Sequence, residues 1–422
     1  QSPITNHQSP ITNHQSPIIH SLQCCIMTTR NRVLHQMNRE NSQSVIENLQ
    51  AISATFAKDT AERQTRRELD PADFEQLAEA GFLLTGVPAE QGGLWRGIAE
   101  SARDYTTMVR TLAHGDPCVA LVATMHPAVM VYFLGCEQVN DAPQAWLAQR
   151  QSVIELARNH WWGTVTSEPG SGGDMLKTKT AAKKSADGID TSYTISGNKH
   201  FGSGSGHADY MITTARRKGA EGPDLFYLKI KDEPWDGSTG CTLASAWDGI
   251  GMTATQSHAF RFENFPATKT ITSELLGKVS PITAVIGNLL FAAVAMGIAD
   301  NALSFAKDKL KGKLQNMRAY ERIEWNRCRN EIWLAQQAFD GAVRAAEASG
   351  VSAGQAAIRC KITVSELLES ALTKMSIVVG GASFAKGMPL AQWNQDVRAL
   401  GFLRPPLPFA HDLIFDMDTD DI

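Results

Sequence analysis

The chain lacks a surplus of one charge, a long apolar run and a cysteine framework, and each lack excludes a class of protein. Its 422 residues carry 40 Lys and Arg against 44 Asp and Glu, a formal net charge of -4. That balance offers no broad basic field to a phosphate backbone, so no nucleic-acid partner is expected. No run of roughly 18 to 20 uninterrupted apolar residues occurs, as a membrane-crossing helix would need, so no membrane partner is expected either. The most apolar run, Leu289 to Ile298, is too short to span and reads as a buried helix. The seven cysteines, Cys24, Cys25, Cys118, Cys136, Cys241, Cys328 and Cys360, are scattered. Adjacent Cys24 and Cys25 cannot form an ordinary unstrained bridge, and no Cys/His cluster has zinc spacing, so no metal site is expected. Reduced thiols in a cytoplasmic protein are the reading.

What is present fits a soluble enzyme: 43% hydrophobic and 20% charged residues, in a chain long enough for two or three domains. The N-terminus repeats QSPITNH from Gln1 to His7 and from Gln8 to His14, and begins it again at Gln15. Such a polar repeat cannot bury a core, so residues 1–27 are expected to be disordered. Met27 is the first methionine, and residues 1–26 are expected to lie upstream of the natural start.

Periodicity then divides the chain into three. Residues 28–158 read as a helical domain. Val45, Ile46, Leu49, Ile52 and Phe56 share one helical face, and Asp70-Pro71 supplies a cap and a first-turn proline. Residues 159–273 read as a β-domain, an antiparallel barrel or sandwich. Its short β-type runs include Thr164 to Thr166, Tyr193 to Ile195, Tyr210 to Thr214, Leu225 to Ile230 and His258 to Phe262. After Pro281 helix returns, and residues 274–411 read as a helical bundle with a Gly/Pro-rich segment from Gly380 to Pro408. Residues 412–422 read as a frayed acidic tail.

Four segments carry chemistry. The first is Thr166 to Asp174, TSEPGSGGD, where glycines let backbone amides approach a ligand. The second is Ser196 to Asp209, SGNKHFGSGSGHAD, where a planar ligand could stack on Phe201 while Ser203 hydrogen-bonds its edge. It does not sit in a strand–loop–helix unit, so it is not a dinucleotide fingerprint. The third is Trp247 to Ser257, and the fourth is Gly380 to Phe384 with Pro389-Leu390 and Asp396-Val397-Arg398.

Each is weak alone; in this order they resemble the acyl-CoA dehydrogenase superfamily. Ser167 to Asp174 is similar to its T-E-P-x-x-G-S-D, Gly197 to Gly204 to its G-x-K-x-W-I-T-N, and Trp247 to Ser257 to its W-D-x-x-G-M-R-x-T-x-S. Gly380 to Arg398 is similar to its glycine-rich C-terminal motif. The resemblance covers about residues 40 to 400. It implies an α+β fold: an N-terminal helical domain, a central antiparallel β-barrel or sandwich and a C-terminal four-helix bundle. It also implies bound FAD and a homodimer or homotetramer. Thr166 and Ser167 would contact the isoalloxazine, and Phe201 would take the place of the family's flavin-packing tryptophan. Ser203 would replace the threonine that bonds near flavin N5. Gly380 and Gly381 match glycines that pass close to the FAD of a neighbouring subunit.

Three departures bear on the reaction. The family's pyrophosphate-binding arginine is replaced by Lys313, which is expected to attract the cofactor's phosphate as a point charge, without the fork. The usual base, a glutamate in Tyr-Glu-Gly, is replaced by Arg404 in Leu403-Arg404-Pro405, and an arginine cannot abstract a proton at neutral pH. The alternative base position falls near Gly287 with no acid beside it. Finally, Gly173 replaces the motif serine and Thr253 an arginine, which weakens the case for a free CoA ester.

The leading expectation is FAD-dependent dehydrogenation of an acyl thioester on CoA or a carrier protein. Its base would come from Glu366, Glu369 or His411. A flavin-dependent monooxygenase of the same fold, which needs no such base because reduced flavin activates dioxygen, is the second. A flavin-binding subunit without dehydrogenation activity is the third.

Overall fold

In the computed structural model, residues 41–135, 139, 143–350 and 352–419 are described. The N-terminal repeat, the expected start at Met27, Cys24, Cys25 and Cys136 lie outside the described residues. The first helix, α1, covers 41–58 and buries Val45, Ile46, Leu49 and Phe56, the face its spacing defines. A single turn, α2 (Thr60–Arg63), leads to α3 (Pro71–Glu79), where the Asp70 side chain accepts from Ala72 N at 2.9 Å. Helices α4 (Ile98–Gly115) and α5 (Pro117–Leu134) are divided at Asp116, whose Oδ1 accepts from Cys118 N and Val119 N. Helix α6 (Gln144–Ala157) closes this part.

Seven strands follow: β1 (Trp162–Thr164), β2 (Ala181–Lys184), β3 (Ser192–Gly202), β4 (Tyr210–Arg217), β5 (Asp224–Lys229), β6 (Cys241–Ser245) and β7 (His258–Ile271). Pairing runs β4–β2–β3–β7–β5 and returns from β5 to β4, which closes the sheet on itself. The pairings are antiparallel except β1 with β4 and β2 with β4. Val165, Ile195, Met211, Phe226, Phe260 and Phe265 fill the interior. β2, Ala-Ala-Lys-Lys, shows no β-branched or aromatic signal; its place is set by its partners Ser196 to Tyr193 on β3.

Helix α7 (Ser273–Leu310) starts eight residues before Pro281 and runs through it, earlier than the sequence pattern suggests. A proline inside a helix costs about 3 kcal/mol. Burying Leu289, Leu290, Val294 and Ile298 on the same helix is worth roughly 1.5–3 kcal/mol each, so burial wins. Helices α8 (Ala319–Glu347), α9 (Ala353–Val379) and α10 (Pro389–Leu400) pack with α7 into the bundle, and α4 and α5 pack on its other side. The Gly/Pro-rich segment thus contains a helix. The tail read as frayed forms α11 (Leu407–Thr419), held by Ala410, Leu413 and Ile414 against Ile358 and Ile362 of α9. By length and composition α5 and α7 could cross a bilayer, yet 89% and 78% of their apolar windows are buried inside the protein.

Candidate functional site

The Thr166–Asp174 segment lies beside the end of β3. Ser167 bridges His200, whose N–H donates to the Ser167 carbonyl at 2.8 Å, and Thr164 bridges Ser203. Thr166, Ser167, Phe201 and Ser203 therefore meet on one edge of the β-domain.

Phe201 is 58% exposed and has φ 58°. A bulky residue in that left-handed region is strained by about 1–3 kcal/mol, a cost that persists where the surroundings impose it. Ser203 is buried, and its hydroxyl meets Ser257 Oγ at 2.8 Å. Ser257 meets Thr255 Oγ1 at 2.8 Å, and Thr255 donates to the Met252 carbonyl at 2.9 Å. Thr255 has one proton and spends it on that carbonyl. Ser257 then donates to Thr255 and Ser203 to Ser257, which leaves the Ser203 oxygen as an acceptor. Gly204, at φ 78°, is needed where it stands: a Cβ would come within 2.6 Å of Val122 Cγ1 on α5. An exposed aromatic face beside a polarised hydroxyl fits a planar heteroaromatic ring.

Beneath this edge, Lys199 donates to Glu168 Oε1 at 2.6 Å and to the Thr214 carbonyl at 2.7 Å. Glu168 also accepts from Thr180 Oγ1, Thr180 N and Lys179 N. Burial pushes the Lys199 ammonium down to about 8 against the pull of Glu168.

Arg404 reaches the edge from the chain before α11. Its Nη2 donates to Ser167 Oγ at 2.8 Å, while its buried Nε has no hydrogen-bond partner. Lys361 of α9 donates to the carbonyls of Leu403 and Pro405, the residues on either side of Arg404. Burial pushes the Lys361 ammonium down to about 7. Gly173 lies against Pro406, where a Cβ would be 2.5 Å from the proline Cδ. Two departures from the family pattern, Gly173 and the Arg404-Pro405-Pro406 run, thus occupy one contact.

The other candidates stand elsewhere. Gly380 and Gly381 line a cavity of about 380 Å³ with Ser376, Phe384 and Asn394. Lys313 is engaged, donating to Glu321 Oε1 at 2.7 Å and to the Val378 carbonyl at 2.9 Å. Glu366 and His411 face one another at 3.5 Å, both side chains 57% exposed, and Glu369 is half exposed near Arg398. These three side chains contact one another or Arg398 on the exposed side of α9. Gly287 has no atom within 4 Å of a Cβ position, and α7 supplies no carboxylate beside it. The Lys199–Glu168 pair, the Thr255–Ser257 relay and the Lys361 grip were not assigned from sequence. Only the presence of Glu168 and Lys199 inside motif segments hinted at the first.

Comparison with known proteins identifies the family. Residues 163–265 match the family model "Acyl-CoA dehydrogenase, middle domain", and residues 286–404 match "Acyl-CoA dehydrogenase, C-terminal domain". The chain is 24% identical over 390 residues to L-evernosamine nitrososynthase of a Micromonospora species, covering 86% of each. It is 26% identical over 306 residues to dibenzothiophene monooxygenase of Rhodococcus qingshengii, 65% of this chain and 66% of that one. Among solved structures, butyryl-CoA dehydrogenase from Megasphaera elsdenii superposes with TM-score 0.75 at 20% identity, over 89% of this chain and 97% of that one. KijD3 bound to FMN and a dTDP-sugar superposes with TM-score 0.73 at 20% identity, over 90% and 94%.

Proposed function

Because the chain belongs to the acyl-CoA dehydrogenase superfamily of flavin-dependent enzymes, we propose that it is a monooxygenase of that fold, acting with reduced flavin and dioxygen on a small molecule. The observation that carries this reading is Arg404. A guanidinium bonded to Ser167 stands where thioester dehydrogenation needs a proton-abstracting carboxylate, and the neighbouring Glu168 is already bound by Lys199, Thr180 and Lys179. Bound reduced flavin supplies the electrons that activate dioxygen.

The chain's own residues have the remaining tasks. Phe201 offers its face to the isoalloxazine, and Thr166 and Ser167 border it. The Ser203 oxygen, left as an acceptor by the relay through Ser257 to Thr255, suits the N–H of a reduced ring. FMN is favoured over the FAD expected from the motifs, since Lys313 is already held by Glu321 and Val378. A homodimer or homotetramer is proposed from the apolar side chains left exposed: Tyr320, Ile323, Trp333 and Leu334 on α8, and Ile377 and Phe384 at the end of α9.

The test is spectroscopic. Purified protein should bind flavin, remain yellow with a panel of acyl thioesters under anaerobic conditions, and yield oxygenated product only with a flavin reductase and air. Anaerobic bleaching by a thioester would overturn the reading in favour of dehydrogenation. The mass of the released flavin decides between FMN and FAD.

A further inference from the structure

Arg404 is a cation with no carboxylate bonded to it. Among the described residues no carboxylate lies within salt-bridge distance of it, and its one hydrogen bond goes to a hydroxyl, Ser167 Oγ. The neighbouring acids are taken. Glu168 is bound by Lys199, Thr180 and Lys179. Asp174 accepts from Leu176 N at 2.8 Å and lies 3.9 Å from Lys177. Lys199 thus holds Glu168, while Asp174 attracts Arg404 only through space and makes no hydrogen bond to it.

Such an arrangement is expensive to build, since a half-buried guanidinium with an orphaned Nε loses hydration and gains little in return. The surroundings nevertheless hold it in place. Lys361 grips the carbonyls on both sides of it, and Gly173 makes room for Pro406 beside it. A guanidinium held against Ser167 at the edge that carries Phe201, with no carboxylate bonded to it, is a cation placed to attract an anion.

We propose that Arg404 is the substrate-recognition residue of this site and that the substrate carries an oxoanion, a carboxylate or a sulfur oxyacid, which the guanidinium binds next to Ser167. This rests on the reading of the Phe201 edge as the reaction site. It deepens that reading by naming the substrate class.

The test is calorimetric titration of the purified full-length protein, with and without flavin, using matched pairs: acetate and acetamide, benzoate and benzamide, methanesulfonate and dimethyl sulfone. At least one anion should bind roughly tenfold or more tightly than its neutral partner, as one desolvated charge-assisted contact provides. Arg404→Met should abolish that preference and leave flavin affinity unchanged, and Arg404→Lys should retain only part of it. If Arg404→Met fails to fold, Arg404→Lys and the wild type carry the comparison. Equal binding of anions and neutral partners by the wild type overturns the proposal. So does a loss of flavin affinity in Arg404→Met with no anion preference to lose, since the guanidinium would then serve the cofactor. An Arg404-dependent anion preference in a protein that oxygenates nothing would refute the monooxygenase reading and leave this one standing.

Discussion

The Lys199 ammonium and the Glu168 carboxylate meet at 2.6 Å with side chains 0% and 5% exposed. The pair ties the first glycine-rich segment to β3, and through the Thr214 carbonyl to β4, directly under the candidate site. Lys199→Met would leave Glu168 charged and buried, so a loss of about 3–5 kcal/mol is expected in urea unfolding. Lys199→Met with Glu168→Gln should recover part of it. A single substitution that leaves the midpoint unchanged would mean the pair contributes nothing to the β-domain.

Phe201 holds a left-handed backbone and an exposed ring, a combination that stability alone does not explain. Phe201→Gly relieves the strain and removes little buried surface. It should raise stability by about 1 kcal/mol while weakening flavin binding at least severalfold. Thermal melting and flavin titration on the same sample check both halves, and unchanged flavin affinity would remove Phe201 from the site.

The Ser203 relay makes a directional prediction. Ser203→Ala should weaken reduced flavin more than oxidised flavin, by roughly 1 kcal/mol or about fivefold in Kd. Ser257→Ala should shift the ratio the same way by less. Equal effects on the two redox forms would show that the hydroxyl does not act as an acceptor there.

Asp396 joins α10 to the Trp247–Ser257 segment by accepting from Met252 N at 2.7 Å and from Gln392 at 2.8 Å. Burial pushes its carboxyl up to about 7. The folded state therefore holds a proton that the unfolded chain, ordinary at 3.8, releases. Its contribution is fully present below about 4 and is lost as pH rises through 7. Asp396→Asn should thus gain on the wild type across that window, on the order of 1.4 kcal/mol per pH unit at most. A stability difference independent of pH would contradict the buried, protonated carboxyl.

The exposed apolar side chains of α8 and α9 predict an assembly. Trp333→Glu or Phe384→Glu should lower the mass measured by light scattering. A wild-type monomer at micromolar concentration would dispose of that proposal.

The helix–strand–helix order was legible because each part has its own period. The α1 stripe of Val45, Leu49 and Phe56, the β-branched and aromatic runs of β4 and β5, and the apolar centre of α7 declare themselves locally. β2 and α10 were not legible. Ala-Ala-Lys-Lys has no strand preference of its own, and α10 hides behind Gly387 and Pro389 in a segment dense with breakers. The site divides in the same way. Phe201 and Ser203 could be read because they lie two residues apart in a motif, and their local backbone brings them together.

By itself, then, the sequence determined the family, the three-part layout and the aromatic–hydroxyl edge, since these depend on contacts between near neighbours along the chain. Tertiary structure alone decided what Arg404 touches and where the acids went. Ser167 and Arg404 are 237 positions apart and meet only because Lys361 and Gly173 fix the path of the Leu403–Pro406 run. Glu366 and His411 are each plausible bases in sequence, and the packing of α11 on α9 turns them toward one another on the outer surface. Charge in a folded protein acts through distance and burial, and neither is written in the order of the residues.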